Sequence, residues 1–128
     1  MKRKLLILAF AAGSLLAGGA SAHHSFAATY MVDKEIKIEG KLVEFLYRNP
    51  HSFVKVEAPD EKGQMQTWAV EWGGGGQLSR DGVSRDTLKP GDHVIVTGNP
   101  GRDPDEHRIR IHSITRPSDG WKWVGIIQ

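Results

Sequence analysis

Residues 35–47 read Glu35-Ile36-Lys37-Ile38-Glu39-Gly40-Lys41-Leu42-Val43-Glu44-Phe45-Leu46-Tyr47, and the fold turns on how they alternate. Ile36, Ile38, Gly40 and Leu42 share one parity, with Lys37, Glu39 and Lys41 on the other, the period-two pattern of a half-buried strand. The phase then slips, and Val43, Phe45 and Tyr47 carry the apolar face onward. A slip inside one long apolar strand predicts a bulge or sharp coil near Gly40 to Val43. A strand bent in that way can serve two sheets of a barrel.

Working downstream, Arg48-Asn49-Pro50 ends the strand, since proline cannot continue a ladder and asparagine favours turns. Ser52 to Glu57 alternates again, with Val54 and Val56 on one face. Pro59 to Gly63 is a turn-rich connection, and Met65 to Trp72 forms a third strand with Trp68, Val70 and Trp72 on one side. After the glycines at 73–76, read as a flexible bend, one or two helical turns are expected within Leu78 to Leu88. Asp92 to Gly98 and Arg108 to Thr115 are the fourth and fifth strands, and Asp119-Gly120 before Trp121 and Trp123 suggests a short final hairpin. Three strands, a short helix and two strands, with a long coiled first strand, predict an all-β protein: a five-stranded OB-like Greek-key barrel. A small antiparallel sandwich is the alternative.

Upstream, residues 1–22 have the parts of a signal peptide. Lys2, Arg3 and Lys4 precede the apolar stretch Leu5 to Leu16, and Ala20-Ser21-Ala22 offers small residues at a cleavage site. The stretch is short of the roughly 20 apolar residues a membrane span needs. Residues 23–34 lack periodicity and read as an extended N-terminal arm, leaving 35–128 as the barrel domain. Loss of the three leader cations leaves 14 basic residues against 15 acidic ones. The mature chain therefore has no basic excess for neutralising phosphates, and nucleic acid is not expected as a partner. Cysteine is absent, which excludes a lipoprotein anchor, a thiol redox centre and a thiolate zinc site. The expected location is the periplasm, without a membrane anchor after cleavage.

Ala22-His23-His24-Ser25-Phe26-Ala27 directly after the leader is a distinctive opening, as is Asn49-Pro50-His51 after the first strand. Trp68-Ala69-Val70-Glu71 before a glycine-rich bend, Leu88-Lys89-Pro90-Gly91-Asp92 before a Val-x-Val strand, and Gly98-Asn99-Pro100 complete the series. Together these resemble a family of small exported proteobacterial proteins, domain of unknown function 6152. The resemblance covers essentially the whole chain and bears on location and fold rather than mechanism. The loop Arg102 to Glu106 departs from the family's short Asp-Gly turn, so no role carries over to it.

The chemistry concentrates at the start of the mature chain. Cleavage after Ala22 makes His23 the first residue, whose amine and ring Nδ1 can chelate one metal ion, with His24 or His51 adding a nitrogen. Cleavage after Ala20 gives Ser21-Ala22-His23, an amino-terminal arrangement suited to square-planar Cu(II) or Ni(II). Nitrogen-rich tetragonal sites favour Cu(II). Glu71, on a neighbouring strand, is the candidate for orienting an imidazole from behind. Two adjacent histidines at a terminus also suit a plain solvated arm, and His51 suits a turn hydrogen bond equally well. His93, His107 and His112 read as surface or satisfied residues. Trp68 and Trp72 read first as core, and otherwise as a stacking platform for a ligand. No G-x-S-x-G elbow or H-E-x-x-H helix occurs, and no catalytic constellation is visible. The reading that emerges is a non-catalytic periplasmic module binding Cu(II) through the N-terminal His. The alternatives are a metal-free domain docking a periplasmic protein or glycan on a Trp-bearing face and, more remotely, a copper-dependent oxidoreductase.

Overall fold

The long first strand does divide its partners. In the computed structural model, which describes residues 26–127, strand β1 runs Ile36–Leu46. It is followed by β2 (Phe53–Pro59), β3 (Met65–Glu71), helix α1 (Gly75–Arg80), β4 (His93–Pro100), β5 (Arg108–Arg116) and β6 (Trp121–Val124). The first half of β1 pairs antiparallel with β4, from Ile36↔Gly98 to Lys41↔His93. The second half pairs with β2, from Lys41↔Glu57 to Leu46↔Phe53, with a register shift between Leu42 and Glu44. Val43 is the extra residue, which is why the inward parity jumps from Leu42 to Phe45. Gly40 lies where β2 crosses most closely: a Cβ there would stand 1.9 Å from the Glu57 carbonyl oxygen.

Sheet order is β3-β2-β1-β4-β5-β6, and a short parallel pairing of β3 with β5 closes the first five strands into a barrel. That seam consists of Ala69↔Arg108, Val70↔Ile109 and Glu71↔Arg110. Closure removes the free edges that an open sheet would expose. Val54, Val56, Trp68, Val70, Val94, Val96, Ile109 and Ile111 project inward, together with Leu42 and Ile114, and form one core. Each of the aliphatic side chains contributes roughly 1.5–3 kcal/mol by leaving water. Thr97 and Gly98 carry a second irregularity, where a Cβ on Gly98 would meet the Arg110 carbonyl oxygen at 2.1 Å.

The glycine run behaves differently from a flexible bend. Helix α1 begins inside it, with Gly74 as N-cap, and Leu78 is buried from the first turn. A Cβ on Gly74 would stand 2.5 Å from the Pro50 carbonyl oxygen, and one on Gly75 would stand 3.0 Å from the Tyr47 ring. Small residues are needed because the helix start presses against the β1–β2 turn, and Tyr47 donates its hydroxyl to the Gly75 carbonyl at 2.8 Å. The helix thus starts earlier than its hydrophobic pattern suggests and stops at Arg80, while Val83 and Leu88 reach the core from turns.

The segment before β1 also differs from expectation. Phe26–Thr29 form a helical turn rather than extended chain, closed by the Tyr30 amide donating to the Phe26 carbonyl at 2.7 Å. Beyond it the arm is stitched to the end of β4. Met31 N donates to Pro100 O at 2.9 Å, and Asn99 donates its side-chain amide to the Lys34 carbonyl at 2.8 Å. The carbonyl of the same Asn99 amide lies 3.0 Å from His112 Nε2, and Glu35 lies 2.6 Å from His112 Nδ1. No helix among the described residues is long and apolar enough to cross a membrane.

Candidate functional site

His51 leaves the β1–β2 turn just beyond the cis Asn49–Pro50 bond. Ser52 fixes its height, because the Ser52 amide donates to Gly73 O at 3.1 Å and the Trp72 amide donates to Ser52 O at 2.8 Å. This pins the turn over the end of β3, where Glu71 pairs across to Phe53 on one side and Arg110 on the other. Strand alternation sends Val70 and Trp72 into the core, so Glu71 faces outward. It is nevertheless only 9% exposed, because the arm covers it.

The arm supplies the cover through two aromatic residues on one side of its helical turn. Phe26 and Tyr30 are four residues apart, the spacing that places side chains one above the other on a helix. Each is met by a guanidinium from β5: Arg108 lies 5.5 Å from the Tyr30 ring centre and Arg110 lies 4.0 Å from that of Phe26. Such stacks contribute about 0.5–2 kcal/mol each, more as they are desolvated. Arg108 and Arg110 share a face because strand residues two apart do so.

Glu71 is the hub. Tyr30 donates its hydroxyl to Glu71 Oε2 in a short hydrogen bond, and Arg108 Nη2 approaches the same oxygen at 3.6 Å. The other oxygen, Oε1, lies 3.4 Å from His51 Nδ1. That nitrogen is buried and makes no hydrogen bond, with the carboxylate in ion-pair range only. Burial, then the bond to Glu71 and its negative charge, pushes the Tyr30 hydroxyl well above the ordinary phenol value. Tyr30 therefore stays a proton donor across the physiological range. The His51 imidazole thus presents its buried edge, Nδ1, to the Glu71 side. Phe26 packs edge-on against that ring, with centres 5.8 Å apart and planes at 77°.

Of the expected site residues, His51 and Glu71 are thus brought together. His23 and His24 lie outside the described residues, and among the described residues no group of three or more His, Asp or Glu side chains is arranged to hold a metal ion. Trp72 is fully buried, stacked on Phe45 with ring centres 5.8 Å apart and edge-on to Trp123 at 5.1 Å. Trp68 is 8% exposed and donates its indole N–H to the Ala58 carbonyl. The stacking platform expected of this pair is corrected for Trp72, which inward alternation on β3 buries completely, while Trp68 also lines the open end of the barrel. His93 lies 2.9 Å from Glu39 at the surface. Tyr30, Phe26, Arg108 and Arg110 escaped the sequence reading. Their signals were the four-residue aromatic spacing and the alternate arginines, which acquire meaning only when the arm lies across the β3–β5 seam.

A protein-family model described as a family of unknown function (DUF6152) matches residues 12–110. No curated protein and no solved structure matches the chain. The matched span takes in the arm, the His51 turn, the Glu71 strand, Arg108 and Arg110, and the chain belongs to the DUF6152 family.

Proposed function

We propose that this protein is an exported binding module that takes Cu(II) at its processed amino terminus, with His51 Nε2 as the side-chain ligand nearest the barrel. The observation that carries the reading is the buried His51 Nδ1, which lies 3.4 Å from Glu71 without a hydrogen bond of its own; a cation taken up on the ring's other nitrogen would draw an Nδ1–H onto that carboxylate. Phe26 lies against that imidazole, and His24 and His23 precede Phe26 by two and three residues. Fully extended chain covers at most roughly 3.3–3.6 Å per residue, which sets the distance within which these two histidines could join His51 on a shared ion. The donor set on offer is an amine and imidazole nitrogens, which suits Cu(II). Glu71, held by Tyr30 and Arg108, acts as the orienting partner from behind, and its own position depends on the arm being docked.

Protein exported through its own leader is the material for the test. Intact mass fixes the cut, and Cu(II) titration with EPR reads affinity and ligand nitrogens. A Met retained before His23 displaces the terminal amine and is expected to weaken binding. His51→Gln should alter the EPR spectrum, and Glu71→Gln should weaken binding roughly 10–100-fold. Equal affinity and identical spectra across these forms, or a mature chain beginning beyond His24, would falsify the proposal.

A further inference from the structure

The arm joins β1 through a tight turn, closed by the Lys34 amide donating to the Met31 carbonyl at 3.1 Å. Two carbonyls of this turn point at one buried side chain. Asn99, 3% exposed on β4, donates its amide nitrogen to Lys34 O at 2.8 Å and to Val32 O at 3.4 Å. Those two acceptors fix the orientation of the amide, because its oxygen has no hydrogen to give them. The oxygen therefore points the other way, 3.0 Å from His112 Nε2, where it can only accept. The opposite ring nitrogen, Nδ1, lies 2.6 Å from the Glu35 carboxylate, which also only accepts. A neutral imidazole has one N–H, so both contacts are satisfied together only when the ring carries two.

The charged groups about the ring are few. Glu35 faces it from the arm. Arg110, two residues back on β5, lines the same small cavity as His112, and its guanidinium is turned onto the Phe26 ring and the Ile127 carbonyl. β4 presents neutral Asn99, and the residue after β6, Gly125, gives its amide to the His112 backbone carbonyl at 3.1 Å. Loss of one proton from His112 breaks the arrangement at one end or the other. With the hydrogen kept on Nε2, the Nδ1 lone pair faces a carboxylate; with it kept on Nδ1, the buried Asn99 oxygen faces a lone pair. The three residues after Asn99 are the ones that hold the arm down. Pro100 O accepts from the Met31 amide, Gly101 bridges to Tyr30, and the Arg102 amide donates to Thr29 O at 2.9 Å.

We infer that His112 is a proton-operated latch on the arm. Protonated, it ties Asn99 to Glu35 and seats the arm over Glu71; deprotonated, it loosens the turn and with it the cover on Glu71. Histidine is the side chain that ordinarily changes charge between about pH 5 and 8, so the arm sits tighter at the acidic end and the tie is lost as pH rises. The latch operates in metal-free protein and is independent of copper. The test is amide exchange by NMR on the full mature, metal-free chain, giving protection factors for Met31 and Arg102 from about pH 5 to about pH 8 beside a titration of every histidine ring. Protection is expected to fall at least threefold, with the midpoint of the His112 ring. Glu35→Gln, at an exposed position, supplies an amide that donates to Nδ1 while Nε2–H stays on Asn99, so a neutral ring satisfies both partners. In that variant the amides should stay protected at the alkaline end and the pH dependence should vanish. Protection that is flat with pH in the parent, a midpoint following another histidine such as His51, or an unchanged pH dependence in Glu35→Gln would each overturn the inference.

Discussion

Replacing Tyr30 by Phe removes one oxygen atom and tests the docking of the arm directly. Tyr30 is 1% exposed and Glu71 9% exposed, so the hydroxyl serves a carboxylate with little access to water. The ring, its burial and the Arg108 stack survive the change. What is lost is a hydrogen bond to a charged acceptor, about 1.5–3 kcal/mol. Arg108 at 3.6 Å and His51 at 3.4 Å still face Glu71, which favours the lower half of that range. At about 4–8 °C per kcal/mol for a domain of this size, the melting temperature should fall by roughly 6–18 °C. The alkaline limb carries a second signature. Because the folded protein holds the Tyr30 phenol above its unfolded value, this group's stabilisation is fully present below about pH 10, the ordinary phenol value. It is lost as pH rises through the folded value. Tyr30→Phe should therefore flatten the loss of stability above about pH 10. Urea unfolding followed by tryptophan fluorescence, from neutral to alkaline pH, reads both effects. A Phe variant melting within about 2 °C of the parent, well under the 4–8 °C that each kcal/mol should produce, would refute the account of Glu71 as hub of the arm. So would a full Tyr30→Phe penalty when Glu71→Gln is already present, since coupled neighbours should not add.

Gly40→Ala places a methyl group 1.9 Å from the Glu57 carbonyl oxygen; the crossing of β1 over β2 must shift, at a cost of about 2 kcal/mol or more, seen as a lower urea midpoint. Asp119 is held below the usual carboxylate range by hydrogen bonds from Arg116, then by the Trp121 amide. Its contribution is present above the unfolded value near pH 4 and lost as pH falls through the lower folded value. Asp119→Asn should flatten the acid limb of a pH–stability curve, and a carboxylate NMR titration should find the Asp119 midpoint depressed. Trp123 donates its indole N–H to Asp81 at 3.0 Å. Asp81→Ala should loosen α1 against β6 by about 1.5–3 kcal/mol, which amide exchange at Leu78 would report.

Much of the fold was legible in local pattern. The parity slip between Leu42 and Phe45 announced the bulge now seen between Leu42 and Glu44, because the side-chain period of a strand is two and an inserted residue must reverse it. The inward sets on β2 and β3, and the hairpin after Asp119-Gly120, followed from the same alternation and from turn chemistry. The glycines at 73–76 misled, since their small size serves contact with Tyr47 and Pro50, and that contact lies 20 or more residues away in sequence.

The site was legible only in part. Residue types singled out His51 and Glu71. Alternation alone would give Glu71 a solvated outward face. What buries it is a helical turn of an aperiodic segment laid across the parallel β3–β5 seam, where Phe26 and Tyr30 meet Arg110 and Arg108. Period and composition act between neighbours along the chain, so they determined the strands. Burial of a charge depends on what arrives from elsewhere in the chain, and that was decided only when the barrel closed and the arm docked on it.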